Sequence, residues 1–147
     1  MTDRLGAPEL TTLTALITTD FVRLGSGWPG LSFITYEAWT ADDPHARDSA
    51  QDPASPICVS GGRSFLVHTL AGFEGAVAQV ASALADEAMG ELGRPWPQLR
   101  SADGSFAVLE AQRDANGFAV WGSARLSWTC RIGQLDACVA RLGAVVD

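Results

Sequence analysis

Two short stretches, "LGSGWP" at 24–29 and "LGRPWP" at 92–97, decide how this chain is read. Each closes a run of apolar residues at helical spacing, and each sets Leu, Gly, Trp and Pro at the same four of six places. Glycine frees the end of a helix, proline prevents its continuation, and an indole held beside them has a large surface to bury. The expected role of Trp28 and Trp96 is therefore to cover the core where the chain turns from a helix into a strand.

Upstream of the first stretch, Leu10, Leu13, Ile17, Phe21 and Leu24 recur every three or four positions, and Pro8 suits a first helical turn. That predicts an amphipathic helix ending at Gly25. Upstream of the second, Phe73, Val77, Val80, Leu84, Ala88 or Met89, and Leu92 form the stripe of a long helix that Gly93 and Pro95 end. Downstream, "SFITYEA" (32–38) parallels "SFAVLEA" (105–111), and "FEGAVAQV" (73–80) parallels "LDACVARL" (135–142). Three matching blocks in one order suggest a duplication, with pseudo-repeats 8–70 and 73–132 packed as a pseudo-twofold pair and a final helix at 134–142.

The remaining segments fill in the expected fold. "LSFITYEAWT" (31–40), β-branched and aromatic on both faces, predicts a central strand. "ADDPHARDSAQDPASP" (41–56) has four aspartates, three prolines and no bulky apolar residue, and predicts an exposed loop. "ICV" (57–59), "SGGR" (60–63) and "SFLVHTL" (64–70) predict a hairpin; "SFAVLEAQR" (105–113), "DANG" (114–117) and "FAVW" (118–121) predict a second. In "RLSWTCRI" (125–132) apolar and polar residues alternate, as in a strand with one buried face. The expectation is a single α+β domain spanning 1–147. Its antiparallel sheet has five or six strands with helices packed on one face, in the order α-β-β-β-α-β-β(-β)-α.

Composition limits the chemistry. The 147 residues are 47% hydrophobic and 18% charged, which suits one compact core. All ten basic residues are arginine, so Schiff-base and phosphate-loop lysine chemistry is excluded. A net charge of −7, spread over both halves, argues against nucleic acid as a partner. No 18-residue apolar run offers a membrane span and nothing at the start reads as a signal peptide, so the expected location is cytoplasmic, with no membrane partner. Cys58, Cys130 and Cys138 are odd in number and widely spaced, which reads as free, buried thiols.

Several residues merit weighing as sites. His45 stands in the loop with Asp42, Asp43, Asp48 and Asp52, oxygen ligands for a hard cation, but the spacing matches no calcium loop and solvated side chains are expected. His68 in its strand could pair with Cys58 or Cys130 as base and thiolate; a hydrogen-bonded core histidine beside inert thiols is the plainer reading. Glu37 and Glu110 fall at equivalent places in the repeats and could meet as a carboxylate pair, although each could equally face solvent or an arginine. Ser60, Gly61 and Gly62 read as a hairpin turn, not an anion loop, because a strand follows them. Of five tryptophans, Trp28 and Trp96 are those most tied to a defined turn. No metal site, cofactor or catalytic residue is expected from these patterns.

Residues 73–135, with a helix running into a Trp-Pro turn, then "GFAVW" (117–121) and "IGQL" (132–135), resemble a set of small actinobacterial proteins. Members of that set often carry Cys and His just after the Trp-Pro pair, where this chain has "QLRSADGS" (98–105), so their implied metal site does not carry over. The order of elements is also similar to that of the small acidic type III secretion chaperones and YbjN-like proteins. That resemblance implies binding of an extended polypeptide, and dimers. The resulting expectation is a non-enzymatic, cytosolic polypeptide-binding module (chaperone, adaptor or immunity-type protein) whose partner is basic or apolar. A homodimer is among its possible forms. The alternative is a small-molecule binder or small enzyme with a pocket between the halves.

Overall fold

The computed structural model describes residues 5–35, 37–39, 55–141 and 143–146. Helix α1 (Ala7–Phe21) starts with proline in its first turn and buries Leu13, Ile17, Asp20 and Phe21. Three of its threonines, Thr12, Thr14 and Thr19, donate their hydroxyls to carbonyls four residues back, so these polar side chains are satisfied without leaving the helix. The predicted helix to Leu24 is shorter than expected: a 3-10 turn, Val22–Gly27, takes over and is kinked at Gly25. Helix α2 (Gly72–Leu92) matches its expected bounds and ends on Gly93, whose left-handed backbone (φ 68°) lets its N–H reach the Met89 carbonyl. Val77, Val80, Leu84 and Ala88 of the predicted stripe are buried, joined by Ala76, Ala81 and Ala85. With so many small residues on its buried face, α2 lies close against the strands beneath it.

The expected single sheet of five or six strands is corrected to three antiparallel sheets of three strands each. The first joins β1 (Ser32–Ile34), β2 (Ile57–Ser60) and β3 (Arg63–Leu66), with Cys58 opposite Phe33 on one side and Phe65 on the other. The second orders β5 (Phe106–Val108), β4 (Gln98–Arg100) and β9 (Val145–Val146); the third orders β6 (Glu110–Arg113), β7 (Ala119–Gly122) and β8 (Cys130–Arg131). The predicted strand 105–113 is thus divided at Leu109, which turns its N–H to the Pro97 carbonyl at 2.8 Å while the residues after it pair with β7. One bent stretch of chain serves two sheets. α2 packs on β6 and β7, and α1 packs on α2.

Other differences have local causes. The stretch 31–40 forms an edge strand of only three residues, and 37–39 are helical, so it is not a central strand. In 125–132 only Cys130 and Arg131 pair with β7, yet Leu126 and Trp128 are half-buried and Cys130 and Ile132 buried, while the residues between them are exposed. The alternation reports burial correctly without a full ladder of hydrogen bonds. β3 stops at Leu66 because Gln79 of α2 intervenes: its amide nitrogen donates to the Leu66 carbonyl and its oxygen accepts the His68 N–H. The turn 114–117 is as expected, with Gly117 at φ 86° and the Asp114 carboxylate accepting the N–H groups of Asn116 and Phe118.

The free-thiol expectation is corrected for two of the three cysteines. Cys130 of β8 and Cys138 of α3 (Leu135–Arg141) are disulfide-bonded, with Cα atoms 5.8 Å apart, because the chain reverses between strand and helix. Cys58 is free and buried.

The two Trp-Pro turns share a partner but not a path. Phe21 is 4.8 Å from the Trp96 ring and 5.9 Å from the Trp28 ring, and Trp121 completes the cluster at 6.0 Å. Gly25 (φ 77°, ψ −154°) and Gly93 (φ 68°, ψ 20°) nonetheless send the chain in different directions. The Trp96–Pro97 peptide is cis, and Trp96 is buried where Trp28 is only half-buried. The two turns thus leave Gly25 and Gly93 on different paths. Below the cluster, Asp20 is buried yet satisfied: its carboxylate accepts the Trp121 indole N–H at 2.8 Å and the Gly133 and Leu135 backbone N–H groups at 2.6 and 3.2 Å. Gly133 and Leu135 lie just before and at the start of α3, so one side chain of α1 caps the third helix.

Candidate functional site

The residues weighed from sequence disperse over the fold. Glu37 lies in the helical stretch 37–39, whereas Glu110 opens β6, opposite Gly122, beside an open hollow it shares with Phe106, Ser123 and Arg125. Glu37 does not line the hollow beside Glu110. His68 is exposed beyond the end of β3, so it is not the core histidine expected. Cys130 is held in its disulfide, and burial together with the charge of Glu87 pushes the Cys58 thiol up to about 12, which suppresses the thiolate a nucleophile needs. His45 and Asp42, Asp43, Asp48 and Asp52 lie outside the described residues. Among the described residues no three metal-ligating side chains gather.

A cleft of about 440 Å³ forms where the first Trp-Pro turn meets α2. Trp28 and Pro29 make one wall, and the Ser60–Gly62 turn of the β2–β3 hairpin makes another. The third wall is the last two turns of α2, which presents Leu84, Glu87, Ala88 and Glu91. These parts come from distant sequence, and two contacts hold them in place. The Ser60 hydroxyl donates to the Gly30 carbonyl at 2.7 Å, tying the hairpin to the Trp-Pro turn. Gly61, at φ 59°, fits beneath Pro29 and Glu87; a Cβ on it would stand 3.4 Å from Pro29 Cγ and 3.3 Å from Glu87 Oε1.

The lining is chemically divided. Leu24, Leu84, Ala88 and Leu92 supply an apolar floor, and the half-buried Trp28 offers its ring. Glu87 and Glu91 are one helical turn apart on the same face, and among the described residues neither has a hydrogen bond or an ion pair. Leu24 and Leu92 also line a second hollow of about 280 Å³, bordered by Arg23, Arg94, Trp96 and Val146. Arg23 there is engaged by Asp136 and by the Val146 carbonyl, while Arg94 has no ion pair among the described residues. The two adjoining hollows form an open trough with carboxylates at one end and two arginines, one of them engaged, at the other.

Sequence reasoning identified Trp28 and Trp96, which border the two hollows, but not Glu87 or Glu91. The only available signal was a like-charged pair at i, i+4, which weakens an isolated helix and so invites a reason for its presence. Compared with family models, with curated proteins and with solved structures, the chain matches none.

Proposed function

We propose that this protein binds a segment of another polypeptide in the trough between the Trp28 turn and α2. The observation that carries the reading is the shape of the site: two open hollows of about 440 and 280 Å³ adjoin at Leu24 and Leu92, which line both. An extended chain, with polar groups spaced along an apolar spine, suits such a trough. A chaperone, adaptor or immunity-type protein would use it so. The first hollow also lies within the 300–1,000 Å³ range common for small-molecule sites. A small-molecule binder or enzyme is therefore the second reading.

The test is an array of immobilised 12-residue peptides of varied sequence, probed with the wild-type protein and with Leu92→Asn, which removes apolar floor at a half-exposed position. Peptides held by the wild type and released by the variant support the polypeptide reading. Peptide capture that ignores Leu92→Asn, or turnover of a small molecule by the same preparation, goes against it. No helix among the described residues is long and apolar enough to cross a membrane. The cytoplasmic placement remains part of the proposal, and the Cys130–Cys138 bond weighs against it because disulfides persist mainly in oxidising surroundings. Thiol labelling of the protein in its own cell decides the point.

A further inference from the structure

The chemistry of the acidic end narrows the partner. Glu87 is half-buried at the base of the cleft, its Oε1 close over Gly61, and Glu91 stands one turn further along α2. Keeping two carboxylates on one helix face costs stability through mutual repulsion, and among the described residues neither forms an ion pair with an arginine. Opposite them stands the Trp28 ring, whose indole N–H donates no hydrogen bond among the described residues. Between carboxylates and ring, Leu84, Ala88 and Leu24 provide apolar surface.

We infer that the acidic end of the trough takes the guanidinium of an arginine on the bound segment. A guanidinium is planar, weakly hydrated and stacks on an indole face, while its fork of N–H groups reaches carboxylates on either side. The three-carbon stem of the same residue matches the apolar floor. A whole-chain charge of −7 adds a long-range attraction for a basic segment and lowers the cost of bringing it near. The neighbouring Arg94 then faces the part of the segment beyond the arginine, which disfavours a second positive charge there. This inference rests on the polypeptide reading and specifies which residue that polypeptide must carry.

The experiment uses the same 12-residue array, followed by calorimetry on the tightest peptide in three forms: arginine, lysine and citrulline at the same position. Citrulline keeps the shape of arginine and removes its charge. Captured peptides should be enriched in arginine. Replacement by citrulline should weaken binding at least tenfold, and lysine should fall between the two. Glu87→Gln and Glu91→Gln should each weaken the arginine peptide about fivefold or more and leave the citrulline peptide unchanged. Their thermal stability should be equal to or above that of the wild type, which shows that the loss is not one of folding. Citrulline or lysine binding as tightly as arginine overturns the inference. Capture of arginine-free peptides that still depends on Leu92 overturns it while leaving the polypeptide reading intact. Capture of no peptide at all overturns both.

Discussion

The Asp20 carboxylate accepts the Trp121 indole N–H at 2.8 Å in the buried centre of the molecule, joining α1 to β7 across 101 residues of chain. The same carboxylate takes two backbone N–H groups at the start of α3. Removing it leaves three donors without a partner, each costing on the order of 1–3 kcal/mol. Asp20→Ala should therefore lose about 3 kcal/mol or more of stability, measured as a shift in the urea midpoint. A loss below about 1 kcal/mol would mean that water replaces the carboxylate at no great cost.

The charge state of Asp20 adds a pH signature. Burial raises its carboxyl above the ordinary 3.8, against the lowering effects of Gly133, Trp121, Leu135 and Arg23. The folded state holds this proton more tightly than the unfolded chain. Its contribution is full below pH 3.8 and is lost as pH rises through the folded-state value. Asp20→Asn cannot titrate, so the stability of the wild type relative to that variant should decline as pH is raised from acid towards neutral. A gap that widens over that interval would reverse the sign.

Asp103 behaves oppositely. The Ser101 and Ser105 hydroxyls and the Ser105 N–H bond its exposed carboxylate and lower its pKa to about 2. The 101–105 turn therefore keeps this support above pH 3.8 and loses it as pH falls towards 2. A carboxyl titration followed by NMR should place the Asp103 midpoint near the low end, and Ser101→Ala should move it upward. No movement would mean that the hydroxyl contributes nothing.

The Cys130–Cys138 bond closes a short loop between β8 and α3. The chain-entropy account gives a closure of this size about 2–3 kcal/mol. Reduction, or Cys138→Ser, should lower the melting temperature accordingly, while the buried Cys58 stays unmodified by iodoacetamide until the protein unfolds. Labelling of Cys58 under native conditions would show that the first sheet opens locally.

Gly61 is the one glycine lining the cleft that combines a positive φ with close neighbours. At φ 59° an L side chain costs on the order of 1–2 kcal/mol, and its Cβ would also press on Pro29 and Glu87. Gly61→Ala should be destabilised by that amount and should bind the peptides selected above more weakly. A neutral effect would place the hairpin turn further from the cleft wall.

Much of the helical layer was legible because its signals are local. Spacing of Val77, Val80 and Leu84 gives the buried face of α2, and Gly93 gives its end. The DANG turn was legible for the same reason, Asp114 bonding its own neighbours. The partition of the strands was not. β9 has only two residues and finds its place by crossing back to Leu99 and Arg100, a pairing without periodicity to announce it. Leu109 divides one predicted strand because the Pro97 carbonyl is available to it, a fact of tertiary position alone. In 31–40 β-propensity was overridden beyond Ile34, where an edge strand has pairing on one side only. The site stayed hidden because Glu87 and Glu91 look like any solvated helix face until the Trp28 turn is folded over them.

The Asp20 link also sets a timetable for synthesis. Asp20 leaves the ribosome long before Gly133, which lies 113 positions later. At about 5–20 residues per second, that separation corresponds to roughly 6–23 s. Through that interval the Asp20 carboxylate lacks its Gly133 and Leu135 donors, while Phe21 meets Trp28, Trp96 and Trp121 in turn as each is made. The contacts that tie α1 to the start of α3 are therefore among the last that the growing chain can complete. Codon choice and chaperone access between Asp20 and Gly133, more than the intrinsic speed of any one element, should govern how much of the protein reaches its native state in the cell.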